Sequence, residues 1–76
     1  MNKQRRNVLK AIIVTLEDAR ELLTNVWDEE QEAFDNMPEG LQESERGETM
    51  QEGIDALEYA DSSLEEVIDY INEAIG

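Results

Sequence analysis

The sequence contains no cysteine and no histidine, a single proline and only four aromatic residues. Without cysteine it can form neither disulfides nor thiolate metal sites, and its composition says nothing about redox compartment. Without histidine it lacks the commonest general base, ordinary zinc chemistry and the Glu-x-x-His signature of di-iron bundles. Long hydrophobic runs are missing too, and nothing approaches the ~18 consecutive apolar residues of a transmembrane helix. The basic start (Lys3, Arg5, Arg6, Lys10) leads into Ala11-Ile12-Ile13-Val14. That run is too short for a secretory signal, has no small-residue cleavage site and is interrupted by Glu17-Asp18. These absences predict one cytoplasmic domain over residues 1–76, with no cofactor and no membrane association. At this size a single core rarely yields more than ~3–5 kcal/mol of net stability. With disulfides and metals excluded, self-association is the supplement that remains.

Positive charge is scarce and unevenly placed. Residues 1–10 carry four cations and no anion, whereas residues 11–76 hold all 20 acidic residues against Arg20 and Arg46. The body of the protein therefore repels nucleic acid and anionic membranes, and a directly bound partner should be a basic protein. Acidity with few aromatics can signal disorder, but the apolar periodicity predicts order.

Over Val8–Phe34 the apolar residues alternate three and four apart, with Leu9, Leu16 and Leu23 in one row and Ile12, Ala19, Val26 and Ala33 in the other. This is the seam of an amphipathic helix. Val8, Ile13, Leu22, Trp27 and Phe34 widen the stripe toward a bundle-type face. Asn2 is a candidate N-cap, and the spacing predicts a helix over about 3–36. Glu30 interrupts the leucine row and is expected to reach water at a loosely packed end.

The second half repeats the pattern, with Met50, Leu57, Leu64 and Ile71 in one row and Ile54, Asp61, Ile68 and Ile75 in the other. Gly53, Ala60, Val67 and Ala74 form a flanking row of small residues suited to close helix approach. Ser44 and Thr49 compete as N-caps, the latter through a capping box with Glu52, and a helix over about 44–74 is predicted. Asp61-Ser62-Ser63 followed by Glu65-Glu66 also reads as an N-cap. The alternative is therefore a three-helix bundle broken at about 61–63, although the leucine row runs through without a change of phase.

Between the helices lies Asp35–Ser44, which holds the only proline, Pro38, and Gly40. Folding there makes an antiparallel two-helix hairpin. Ala33 then faces Met50, Val26 faces Leu57, Ala19 faces Leu64 and Ile12 faces Ile71. In the other row Glu30 faces Ile54, Leu23 faces Asp61, Leu16 faces Ile68 and Leu9 faces Ile75. Both rows pivot near Leu41-Gln42. The basic start falls beside the end of the second helix, where Asp69, Glu73 and the negative end of its dipole suit cations. A lone hairpin leaves apolar surface at its open end, so a homodimer forming a four-helix bundle is expected, with Val8, Ile13, Val67, Tyr70 and Ala74 as contacts.

The run Asp28–Glu48, with its Asn36-Met37-Pro38-Glu39 and Ser44-Glu45-Arg46-Gly47 stretches, resembles a segment of small acidic helical proteins of phages and mobile elements in low-GC Gram-positive bacteria. Gly40 departs from that pattern, in which a serine is expected. The resemblance implies a mobile-element context and supplies no catalytic residue.

The reading that follows is a non-enzymatic acidic protein-interaction module, an adaptor or assembly factor, with Trp27, Phe34, Met37 and Leu41 around the turn as candidate partner contacts. The alternative is a mimic of nucleic acid that inhibits a host nuclease or another nucleic-acid-binding protein. A remote third reading starts from Glu29-x-x-Glu32 and Glu66-x-x-Asp69, which are similar to the magnesium-binding carboxylate pairs of all-α nucleotide pyrophosphohydrolases. A magnesium site needs converging oxygens, and the hairpin register separates the two pairs by roughly 15 Å.

Overall fold

The computed structural model describes residues 1–76. Helix α1 runs from Lys3 to Asp35, a one-turn helix α2 spans Glu39–Gln42, and α3 runs from Glu45 to Ile75. The two long helices pack against each other as an antiparallel hairpin of 58 × 15 × 12 Å. Its radius of gyration, 17.3 Å, is well above the ~11 Å of a compact chain of this length. The fold is a rod one helix pair thick.

Each long helix begins at a side-chain cap. The Asn2 side chain accepts the Arg5 N–H at 2.8 Å, and the Ser44 hydroxyl accepts the Gly47 N–H at 3.4 Å. Thr49 and Glu52 lie inside α3, so the capping box is not used. Helix α3 passes through Asp61-Ser62-Ser63 without interruption, and the three-helix alternative is overturned. Two serines cost too little helix propensity to break a segment whose packing face continues on both sides.

The turn is compact. The Asn36 and Met37 amides donate to the Glu32 and Phe34 carbonyls, and Pro38 opens α2, where its missing N–H costs nothing. The Gln42 side-chain amide reaches back to donate to the Phe34 carbonyl at 2.9 Å, satisfying an acceptor at the end of α1. Ser44 donates its hydroxyl to the Leu41 carbonyl. Gly47 is buried against this corner. A Cβ there would lie 2.6 Å from the Leu41 carbonyl oxygen and closer still to that of Gln42.

The seam differs from expectation on one helix. On α3 both predicted rows point inward, with Ile54 and Ile68 fully buried and Met50, Leu57, Asp61, Leu64, Ile71 and Ile75 half-buried. On α1 the leucine row Leu9, Leu16 and Leu23 points inward as expected, but its companion is Ile13, Arg20, Trp27 and Phe34. Ile12, Ala19, Val26 and Ala33 lie outside, Ile12 at 40% and Val26 at 51% exposure. Both rows keep the heptad spacing, so periodicity does not separate them. Side-chain size does, because Trp27 and Phe34 bring far more apolar area to the seam than Val26 and Ala33.

Candidate interaction faces

Arg20 sits half-buried in the middle of this seam. Its guanidinium grips Asp61 through two hydrogen bonds, 2.8 Å to Oδ1 and 3.3 Å to Oδ2, and donates to Glu65 at 3.1 Å. Asp61 therefore faces a cation rather than Leu23 alone. The hydrogen bond from Arg20 holds the Asp61 carboxyl below its ordinary range against a smaller opposing effect of burial. Arg20 is raised in turn, chiefly by the same bond. These are the only two ion-paired carboxylates in the chain. They fix the alignment, setting Arg20 level with Asp61 and Glu65.

The basic start behaves differently from expectation. Lys3, Arg5, Arg6 and Lys10 are exposed and none forms an ion pair, with Asp69, Glu73 or any other residue. In the register set by Arg20, Ile75 at the end of α3 lies level with Leu9. The first turns of α1 thus project past α3 by roughly 9 Å, and Lys3, Arg5 and Arg6 lie on this overhang. An open depression lined by Met1, Asn2, Gln4, Arg5, Val8 and Leu9 marks this overhang.

The handedness of the helices divides the remaining surface into two long faces. In an α-helix each residue is turned about 100° from the last. Because the helices are antiparallel, residues one position before the seam point to the same side of the hairpin on both helices. Those one position after it point to the opposite side.

The first side is apolar. On α1 it carries Val8, Ile12, Thr15, Ala19, Leu22, Val26, Glu29 and Ala33, and on α3 Gly53, Ala56, Ala60, Ser63, Val67, Tyr70 and Ala74, all exposed. Leu22 is 67% and Tyr70 65% open to solvent. Thr15 turns its hydroxyl back onto the Ala11 carbonyl at 3.1 Å. Glu29 is the one carboxylate on this face, and Arg5 and Arg46 continue its rows at the two ends. The second side is acidic from Glu17 onward, with Glu17, Glu21, Asp28 and Asp35 on α1 and Glu48, Asp55, Glu58, Glu65 and Asp69 on α3, while Lys10 and Val14 stand at its open end, all exposed.

No protein-family model, curated protein or solved structure compared with this chain matches it.

The candidate contacts distribute unevenly over these surfaces. Trp27 and Phe34 are half-buried in the seam, Met37 is half-buried beside the turn, and Leu41 alone is exposed. The turn therefore offers a single open apolar side chain. Val8, Val67, Tyr70 and Ala74 lie on the apolar face as expected of dimer contacts, but Ile13 does not. It is buried in the seam because the second inward row of α1 passes through residue 13 rather than 12. Sequence reasoning missed Ile12, Ala19, Leu22, Val26 and Ala33 as surface residues. The flanking row Gly53, Ala60, Val67 and Ala74 was the signal for the matching face on α3.

No group of three acidic side chains converges on a point that could hold a metal ion. Glu30, half-buried in the seam, makes no hydrogen bond or ion pair. No half-buried or buried side chain hides an unpartnered polar atom, so its carboxylate meets water. No helix is long and apolar enough to cross a membrane.

Proposed function

We propose that the protein is a non-enzymatic interaction module, an adaptor or assembly factor that pairs through its apolar face into a four-helix bundle and offers its acidic face to a basic protein. The observation that carries this reading is the segregation of the surface: one long face with a single carboxylate, and opposite it nine exposed carboxylates. A face that served only solubility would have no need of an apolar counterpart, since monomers rarely expose large contiguous apolar patches. The resemblance of Asp28–Glu48 to small acidic proteins of mobile elements supports a setting in which such modules act on a host or phage protein.

Nucleic-acid mimicry is the second reading, and the same acidic face favours it. Nine carboxylates over about 32 Å of helix are one per roughly 3.5 Å, near the ~3.4 Å phosphate spacing of a single strand and far from the ~1.7 Å of a duplex. The mimicked ligand is therefore a single strand.

The test compares capture of host proteins by the native chain and by a variant carrying Glu17→Gln, Glu21→Gln, Asp55→Asn and Glu58→Gln. The reading expects a basic protein that the native chain retains at low salt and releases at high salt, and that the neutralised, still helical variant does not hold. Equal capture by both chains would remove the acidic face from the function. A captured protein that is displaced by single-stranded nucleic acid would select mimicry over the adaptor.

A further inference from the structure

We infer that two copies of the hairpin pack apolar face to apolar face with their long axes antiparallel, each basic amino-terminal overhang lying against the acidic turn of the other. This rests on the dimer proposed above and specifies its geometry. Four observations converge on a second copy in that orientation.

The first is area. The chain exposes 5721 Å², about 1,000 Å² more than the ~4,700 Å² of a compact monomer of its mass. A standard interface removes about 800 Å² from each partner, so one copy on one face accounts for the excess.

The second is position. The apolar stripes of α1 and α3 are both centred at the level of the Arg20–Asp61 pair, so a two-fold axis through that level overlaps the whole face with itself. At the centre Ala19, Ala60 and Ser63 are small, and Leu22, 67% exposed, is the one large apolar side chain that the partner would cover.

The third is size. Bulk is concentrated toward the open end in Val8, Ile12, Val67 and Tyr70, whereas the end near the turn carries Ala33, Gly53 and Ala56, with Val26 its one large apolar side chain. An antiparallel copy sets large against small. A parallel two-fold pair stacks each α1 on the partner's α3, setting Tyr70 against Ile12 and leaving Gly53 opposite Ala33.

The fourth is charge. Lys3, Arg5, Arg6 and Lys10 have no partner in their own chain, and the first turn of α1 contains no acidic residue. Three of these cations stand at or near the positive end of the α1 dipole, which disfavours them there. Even without the acidic face, residues 29–52 around the turn hold seven carboxylates against Arg46 alone. In the antiparallel pair Lys3, Arg5 and Arg6 come level with the partner's turn and the start of its α3, near its acidic residues. In a parallel pair the two basic ends would repel one another, as would the two turns. The nine-carboxylate faces point away from the interface in both copies, so the overall charge of −14 per chain does not oppose contact directly.

Two measurements on the full chain test this. The sequence has no cysteine, so Asn7→Cys gives one nitroxide site, exposed and pointing away from the seam. Dipolar spectroscopy of the antiparallel pair should give an intermolecular distance of about 40 Å, twice the rise from residue 7 to the two-fold level. A distance below about 25 Å, set by helix diameters, would overturn the orientation and leave the dimer standing.

Sedimentation of Arg5→Glu/Arg6→Glu supplies the second. The antiparallel pair should dissociate at least tenfold more readily than the native chain at low salt, and Glu39→Lys/Glu43→Lys on the turn of the same chain should restore it. Acidic residues suit the start of α1, so weakened association cannot be attributed to a weakened helix. Tightened association would overturn the orientation. A native chain that stays monomeric at tens of micromolar would overturn the dimer itself, and with it this inference.

Discussion

At the scale of single residues the decisive contact is the Arg20 fork on Asp61, in a seam built, Glu30 apart, from aliphatic and aromatic side chains. A charge left without its partner in such a setting costs more than the pair contributes. Arg20→Met alone should therefore lower the urea midpoint, and Arg20→Met with Asp61→Leu should recover most of the loss, as a double-mutant cycle would record. The pair also makes stability depend on pH. The Asp61 carboxyl is held below its ordinary value in the folded chain, so folding favours its ionised form. That contribution is complete above the ordinary carboxylate range near pH 4 and disappears as pH falls through the depressed folded value. The midpoint difference between the native chain and Asp61→Asn should hold constant from pH 8 to pH 5 and shrink below pH 4. Gly47 is the other residue on which the architecture depends. Gly47→Ala would drive a methyl group into the backbone of residues 41 and 42, with an expected loss of about 1–3 kcal/mol in denaturant unfolding. Asp61 was legible in the sequence as a break in an apolar row. Its partner was not, because a lone arginine among heptad positions looks like any solvated cation until the second row of α1 is known.

At the scale of elements the two caps give opposing expectations that one experiment can separate. Ser44→Ala removes the side-chain acceptor at the start of α3 and should cost about 1 kcal/mol. Thr49→Ala, well inside the helix, should be neutral or slightly stabilising. Continuity through residue 62 has an equally direct test. Ser62→Pro would be tolerated in a loop, whereas in the middle of α3 it should cost ~3 kcal/mol or more. That approaches the ~3–5 kcal/mol a core of this size supplies, so most of the ellipticity at 222 nm should be lost at room temperature. The extents of both long helices could be read from the sequence because caps, periodicity and the proline agree about them. Helix α2 could not. Four residues carry no period, and what holds them is the Gln42 bond to the Phe34 carbonyl, a contact between elements that no local pattern contains.

At the scale of the whole molecule, the hairpin follows from two heptad rows on α3 and one on α1, which suffice to bring the helices together antiparallel. Rotation of α1 about its own axis is a finer matter, since rows through residue 12 and residue 13 satisfy the same spacing. Choosing between them moves Ile12, Ala19, Val26 and Ala33 from the interior to the surface, and so turns a supposed core into a candidate interface. If that face is covered by a second copy, thermal unfolding must depend on concentration, and the midpoint should fall steadily across a hundredfold dilution series. The turn at residues 36–47 has a consequence for the order of events as well. In a hairpin every contact closes a chain loop whose length grows with distance from the corner, and loop closure becomes more costly with length. Pairing should therefore begin beside Gly47 and Met50 and advance toward Leu9 and Ile75, like a zip fastened at one end. In stopped-flow measurements Gly47→Ala should slow refolding, while Ile75→Ala should leave that rate nearly untouched and speed unfolding instead.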